Sequence, residues 1–356
     1  MERRRYYTRI YLWSLLGSAV FGAAFGHFYV RDPGFGGFLH GALAGILISA
    51  AIILIEVFVF NGLRLALFSR LPFLLYLALR SLGYLAAIFV GLALSTWIMQ
   101  DAAPGDPLIQ HSGVVFSLVM SFGFNLLYGV NRLLGQGVLF SFVAGRYRRP
   151  RIEERVLLMI DMESSTAIAE RLGEVGFLDF LNRFVADVTA SILAQRGEIY
   201  KYVGDEIIVT WALADGLRDG RCIRACFDAL LRLDMLAGGY ERDFGRRASF
   251  RAALHCGPVV IGELGVIKME IALLGDTMNT AARLLEACRD TGHRVLASAV
   301  LVDRLAALPH GIVEKLIAGL QLRGKESPMD LYALASAAQS PPRTGANVTV
   351  LAARSA

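Results

Sequence analysis

The apolar residues of this chain are unevenly spread, and that unevenness limits its possible folds more than any motif does. Residues 10–29, 39–60, 72–99 and 113–135 form four long apolar stretches whose main internal exceptions are Arg80 and Asn125. Each is long enough to cross a hydrocarbon layer, which takes about 20 helical residues. Only helices or closed barrels satisfy their backbone in lipid, so the pattern predicts a bundle of four membrane helices. The excess sits in the first 145 residues and raises the hydrophobic share of the whole chain to 55%.

The arginines orient these spans. Arg3, Arg4, Arg5 and Arg9 precede the first stretch, Arg64 and Arg70 separate the second from the third, and Arg132, Arg146, Arg148, Arg149 and Arg151 follow the fourth. Loop 30–38 carries Arg31 offset by Asp32, and loop 100–112 carries Asp101 and Asp106 with no Lys or Arg. The positive-inside rule then puts both termini in the cytoplasm, with two short outer loops, in an inner or plasma membrane. The net charge of +5 follows from these flanking arginines, which suit anionic lipid, so no nucleic-acid partner is expected. Cys222, Cys226, Cys256 and Cys288 all lie in the second half, where a reducing cytoplasm argues against disulfides.

Past residue 150 the periodicity changes. The expected division is a four-helix anchor over 1–135, a juxtamembrane helical linker over 136–152, a catalytic domain over 153–335 and a flexible tail over 336–356. Within the third part, Glu154–Met162 reads as a strand, and Thr166–Leu172 and Phe177–Gln195 as helical pieces. Glu198–Tyr202 and Glu206–Trp211 read as a hairpin around Gly204-Asp205, and Arg218–Ala237 as a helix. Phe250–His255 and Val259–Ile261 read as strands flanking Cys256-Gly257-Pro258, followed by a strand over Glu270–Leu274 and a helix over Thr277–Cys288. Short strands near 294–297, 312–322 and 330–334 complete it. The order β-α-β-β-α-β predicts an α+β ferredoxin-like layer sandwich.

Two carboxylates stand out because each ends an apolar run. Asp161 closes Val156–Ile160, and Asp205 sits in Tyr202-Val-Gly-Asp-Glu-Ile-Ile-Val209 beside a turn-forming glycine. Carboxylates at strand ends suit a hard divalent cation engaged in phosphate chemistry. Their neighbours Glu163 and Glu206 are expected to point elsewhere. Farther on, Asn279-Thr-Ala-Ala-Arg283 puts an amide and a guanidinium on one helix face at i and i+4. Asp276, just before them, reads as that helix's cap. Metal carboxylates with an Asn/Arg pair suggest phosphoryl or nucleotidyl transfer.

Five segments in order carry a resemblance: Ile160-Asp-Met-Glu-Ser-Ser-Thr166, Lys201-Tyr-Val-Gly-Asp205, Leu254-His-Cys-Gly-Pro-Val-Val-Ile-Gly-Glu-Leu-Gly265, Leu274-Gly-Asp-Thr-Met-Asn-Thr-Ala-Ala-Arg-Leu284 and Leu322-Arg-Gly-Lys-Glu326. Over about 153–335 the chain resembles the class III nucleotidyl cyclase catalytic domain, and the whole resembles a membrane-anchored bacterial-type adenylate cyclase. The resemblance implies a lyase that makes 3′,5′-cyclic AMP and pyrophosphate from ATP. It implies two Mg²⁺ or Mn²⁺ ions per active site, held by Asp161, Asp205 and the Met162 backbone carbonyl. Asn279 would orient the ribose and Arg283 would meet the α-phosphate. Lys201 would contact the purine, and Lys325, or Arg323 in its place, the triphosphate. Since the family builds each site from two catalytic domains and one chain here carries both sets, a head-to-tail homodimer is implied. The chain departs from the family at Ala272, where a side chain that accepts from the base is usual. That leaves open relaxed ATP/GTP choice, with Glu270 as one substitute acceptor. It also leaves open a membrane receptor that binds nucleotide without turnover. A diguanylate cyclase, suggested by Val203-Gly-Asp-Glu-Ile-Ile208, would lack the Asn279/Arg283 helix. His255 and the nearby glycines Gly257, Gly262 and Gly265 read as scaffold.

Overall fold

The structure, a computed structural model, describes residues 2–29, 35–56, 73–99, 149–266, 269–325 and 327–337, with single positions 58, 115, 119, 123 and 147. The chain divides into two compact units, Met1–Leu133 and Leu134–Ala356.

In the first unit, helices α1 (Glu2–Tyr29), α2 (Phe35–Leu54) and α3 (Phe73–Ile98) are described. Phe35–Leu54 and the Leu79–Ile98 part of α3 are long and apolar enough to cross a membrane. The expected stretch 113–135, most of the linker 136–152 and nearly all of the tail lie outside the described residues. α1 and α2 meet along glycines. A Cβ on Gly22 would stand 2.2 Å from the Gly41 carbonyl oxygen, and one on Gly26 2.2 Å from that of Gly37. Gly45 closes on the Ser18 carbonyl in the same way, at 2.2 Å. Small residues every fourth position let two helix backbones approach this closely. Gly41→Leu should therefore cost about 1–3 kcal/mol by overpacking, read as a lower unfolding temperature of the full chain. Gly17→Leu and Gly36→Leu, where a Cβ meets nothing within 4 Å, should leave it unchanged.

Among the described residues α3 carries a polar cluster. Arg80 donates to Glu56 Oε1 at 2.7 Å and to the Tyr84 hydroxyl at 2.8 Å, and Tyr84 also bonds Glu56. Glu56 is a partner that charge counting over the apolar stretches missed. The ion pair lets a half-buried charge be carried among apolar helices.

The second unit is a mixed sheet flanked by helices. Its strands are β1 (Arg151–Met162), β2 (Glu198–Val203), β3 (Glu206–Ala212), β4 (Phe250–Leu264), β5 (Glu270–Leu274), β6 (Val295–Ser298), β7 (Ile312–Leu320) and β8 (Met329–Ser336). The helices are α4 (Ser165–Ala194), α5 (Leu213–Leu217), α6 (Arg221–Phe244), α7 (Asp276–Thr291) and α8 (Ala299–Val302). The strand order is β2-β3-β1-β4-β6-β8-β7, with β5 also pairing β4. Its first four strands have the ferredoxin-like order that β-α-β-β-α-β predicts.

β1 is central and covered on both faces, which is why Val156–Ile160 is apolar without alternation. Val156, Leu158, Ile160 and Met162 join Phe180, Phe184 and Val188 of α4 and Leu230, Leu233 and Tyr240 of α6. Leu157 and Met159 face the other way, with Ile208 and with Ala281, Leu284, Leu285 and Cys288 of α7. Each of these side chains gains about 1.5–3 kcal/mol on leaving water. α4 is interrupted at Gly173 (φ +70°), the break expected between its two helical pieces.

β4 runs unbroken for 15 residues where the sequence predicted two strands around Pro258. The reason is a change of partner. β4 pairs β6 over Ala252–Leu254 and β5 from Val260 onward, with β1 along its other side. Pro258 falls where one side of β4 is unpaired, a place where a strand tolerates a missing N–H.

Candidate active site

The acidic end of the site follows from register. Counting along β1 from Leu157 and Met159, the alternation puts Asp161 on the α7 face. Asp161 pairs directly with Glu206 of β3, so both side chains stand on one face of the sheet. This corrects the expectation that Glu206 points elsewhere: antiparallel pairing, invisible in a strand read alone, sets it opposite Asp161. Asp205 precedes it in the two-residue turn that joins β2 to β3, and Gly204 (φ +62°) supplies the left-handed backbone the turn needs. Burial first, then the Asp161 and Asp205 carboxylates, push the Glu206 carboxyl above the usual carboxylate range. Three carboxyl groups therefore share one mouth. Glu163 does turn away, bonding the Ser249 hydroxyl and pairing with Arg251 at 3.2 Å. The Met162 side chain is buried on the opposite face, among the α4 and α6 residues.

A guanidinium completes the mouth. Arg289, in the last turn of α7, places one nitrogen 2.6 Å from Asp161 Oδ2. Sequence reasoning missed this residue, since nothing local links positions on β1 and α7. Arg283, two turns earlier on α7, is held instead by Glu286 at 2.9 and 3.0 Å. Asn279 lies one turn before Arg283 and is exposed.

At the other end of α7 the helix cap is Gly275, not Asp276 as the sequence predicted. Gly275 at φ +133° holds a backbone that Asp avoids, so the acid falls in the first helical turn. There Asp276 accepts from Lys325 Nζ at 2.5 Å, and Lys325 holds its carboxyl below the usual range. Lys325 leaves a turn in which Gly324 takes φ +73°, and Arg323 in the same turn is exposed. Gly257 faces α7 closely, since a Cβ there would lie 2.8 Å from Thr277 Oγ1. His255 is buried, bonds Ser298 Oγ at 2.7 Å, and is driven by burial down to about 4, so it stays neutral. That is the scaffold role expected of it.

A third cluster lies at β2 and β5. Lys201 Nζ sits 3.2 Å from Glu270 Oε1 and 3.3 Å from Oε2. Ala272 is buried, pairs with Gly262, and lies two residues from Glu270, hence on the same face of β5. The Tyr200 hydroxyl accepts the next N–H, that of Leu273, at 3.0 Å and pins β5 to β2.

The chemistry available is that of oxygen donors. Among the described residues no group of three or more His, Cys, Asp or Glu side chains is placed to hold a metal ion. The four cysteines are buried, and burial pushes Cys222 and Cys288 up to about 12, so they offer no thiolate. The oxygen donors of Asp161 and Asp205 suit a hard cation that keeps water and phosphate in the rest of its shell.

Residues 148–335 match the family described as the adenylate and guanylate cyclase catalytic domain. The chain belongs to that family. It is 38% identical over 231 residues to Adenylate cyclase 2 of Rhizobium meliloti (strain 1021), across 65% of this chain and 63% of that protein. It is 29% identical over 212 residues to Guanylate cyclase D of Mus musculus, across 55% of this chain and 18% of that one. The chain thus spans less than two thirds of either relative. A bacterial light-regulated adenylyl cyclase of known structure shares the fold, with a TM-score of 0.52 and 20% identity over 65% of this chain and 66% of that one.

Proposed function

We propose that the chain is a membrane-anchored adenylate cyclase that closes ATP to 3′,5′-cyclic AMP with release of pyrophosphate, acting as a head-to-tail homodimer. The observation that carries this reading is the shared acidic mouth of Asp161, Asp205 and Glu206 in a member of the cyclase family. Asp161, Asp205 and the Met162 carbonyl would hold two Mg²⁺ or Mn²⁺ ions, which when bound acidify the attacking hydroxyl and stabilise the leaving oxygens. Asn279 hydrogen-bonds and orients the ribose, and Arg283 presents a planar fork of donors to the charge that grows on the α-phosphate. Lys325, helped by exposed Arg323, receives the remaining phosphates once it leaves Asp276.

The layout of α7 supports the dimer. The arginine that reaches Asp161 is Arg289, while Arg283 lies six residues earlier, about 9 Å along the helix axis. Asn279 and Arg283 therefore serve the carboxylates of a second copy, and two equivalent sites follow from two-fold symmetry. α2 and the apolar part of α3 support the reading of a lipid anchor, and the arginines at 3–9 support a cytoplasmic start for it.

Base choice rests on Lys201 and Glu270. Adenine presents an acceptor, N1, beside a donor, the 6-amino group. Guanine presents an acceptor, O6, beside a donor, N1–H. An ammonium next to a carboxylate can meet either edge, and their order along the edge decides between them. We assign Lys201 to adenine N1 and Glu270 to the amino group, in the place that Ala272 leaves without an acceptor. Glu270→Ala should lower kcat/KM for ATP about tenfold, the scale of a hydrogen bond to a charged group, and lower the ATP-to-GTP ratio with it.

The test is product analysis by mass spectrometry on the purified full chain, with ATP and GTP supplied separately and Mg²⁺ compared with Mn²⁺. Cyclic AMP from ATP alone is expected. Cyclic GMP in comparable amount would overturn the base assignment. No product from protein shown to be dimeric would overturn the enzyme and favour a nucleotide-binding receptor.

A further inference from the structure

We infer that Arg289 is the resting counter-ion of the acidic mouth, which holds Asp161 until a divalent cation displaces it and so sets the affinity for that cation. The inference rests on the metal-site reading above. Asp161 is only 13% exposed whereas Arg289 is 62% exposed, so a long mobile side chain reaches in from the helix end to a fixed carboxylate. The guanidinium also feels Asp205 and Glu286, which puts both acids of the mouth within its field. Glu206 stands opposite Asp161 and also feels Asp205, and a nearby cation relieves the repulsion among these acids when no metal is bound. A divalent ion on Asp161 would sit within a few ångströms of the guanidinium, and the two positive charges repel. Both therefore compete for Asp161.

The displaced arginine has somewhere to go. Glu286 stands three residues back on α7, a spacing that brings side chains together on one helix face. Its present partner is Arg283, at 2.9 Å. Arg289 arriving at Glu286 competes with Arg283 for the same carboxylate and loosens the arginine assigned to the phosphate.

The experiment is a Mn²⁺ titration of the full chain followed by electron paramagnetic resonance, which counts free ion and needs no turnover. Wild type, Arg289→Gln, Arg289→Lys, Asp161→Asn and the Arg289→Gln/Asp161→Asn double variant are compared. Arg289→Gln should bind Mn²⁺ about fivefold more tightly, the equivalent of about 1 kcal/mol for an exposed ion pair. Arg289→Lys, which keeps the charge, should stay near wild type. The gain should vanish in the double variant, because the two residues act on one another. Unchanged or weaker binding by Arg289→Gln, with Asp161→Asn still impaired, would overturn the counter-ion and leave the metal site standing. Wild-type binding by Asp161→Asn would overturn the metal assignment itself.

Discussion

Asp205→Asn is expected to lower cyclic nucleotide formation by about 10³-fold, on the scale of losing a group that acts on charge in the transition state, with the fold intact. The substitution keeps shape and removes charge. Asp205 occupies the second position of a turn whose conformational demand is met by Gly204, and Asn is as acceptable there as Asp. The cost in stability should fall within about 0.5 kcal/mol, as for surface changes away from packing or caps. Asp161→Asn is less clean, because it also breaks the Arg289 ion pair. Cyclic nucleotide by mass spectrometry and thermal unfolding are measured on the same preparation. A variant that keeps a tenth of wild-type activity would remove the β2–β3 turn from the metal site. A variant that unfolds early would show that the carboxylate is structural.

The parts of this site readable from sequence are those that local chemistry dictates. An acid closing an apolar run marks a strand end, so Asp161 and Asp205 stand out without any knowledge of pairing. The i, i+4 spacing of Asn279 and Arg283 needs only a helix. The break in α4 shows as a change of pattern around Gly173, whose positive φ a helix cannot continue through. What stays hidden depends on residues far apart in the chain. Glu206 joins Asp161 only because β1 and β3 pair in one register. Arg289 and Lys325 find Asp161 and Asp276 across 128 and 49 positions. β4 reads as two strands until its exchange of β6 for β5 explains why Pro258 is harmless. The glycines of α1 and α2 are a different case, because Gly22 and Gly26, like Gly37, Gly41 and Gly45, recur at four-residue spacing and could have been read as a crossing.

Mixing two inactive variants should restore activity, and the expected amount is fixed by symmetry. Arg283→Ala removes the arginine assigned to the phosphate and Asp205→Asn a carboxylate assigned to the metal, so in the proposed homodimer each variant alone should be dead at both sites. In the mixed dimer, one site combines the intact carboxylates of one chain with the intact arginine of the other, and the second site collects both defects. Equal amounts of the two chains, assembled at random, give about half mixed dimers with one working site each, or about a quarter of wild-type activity. Sites built within a single chain would give no recovery, because each chain would keep its own lesion. The two chains are co-expressed so that they assemble together, and a tag on each chain lets the mixed species be isolated. Purified mixed dimers should then run at about half the wild-type rate per dimer. Recovery at that level would establish that α7 of one copy serves the acidic mouth of the other. It would also give the Arg289–Glu286–Arg283 series a route between the two sites, because a cation bound at one mouth would loosen the arginine that serves the other.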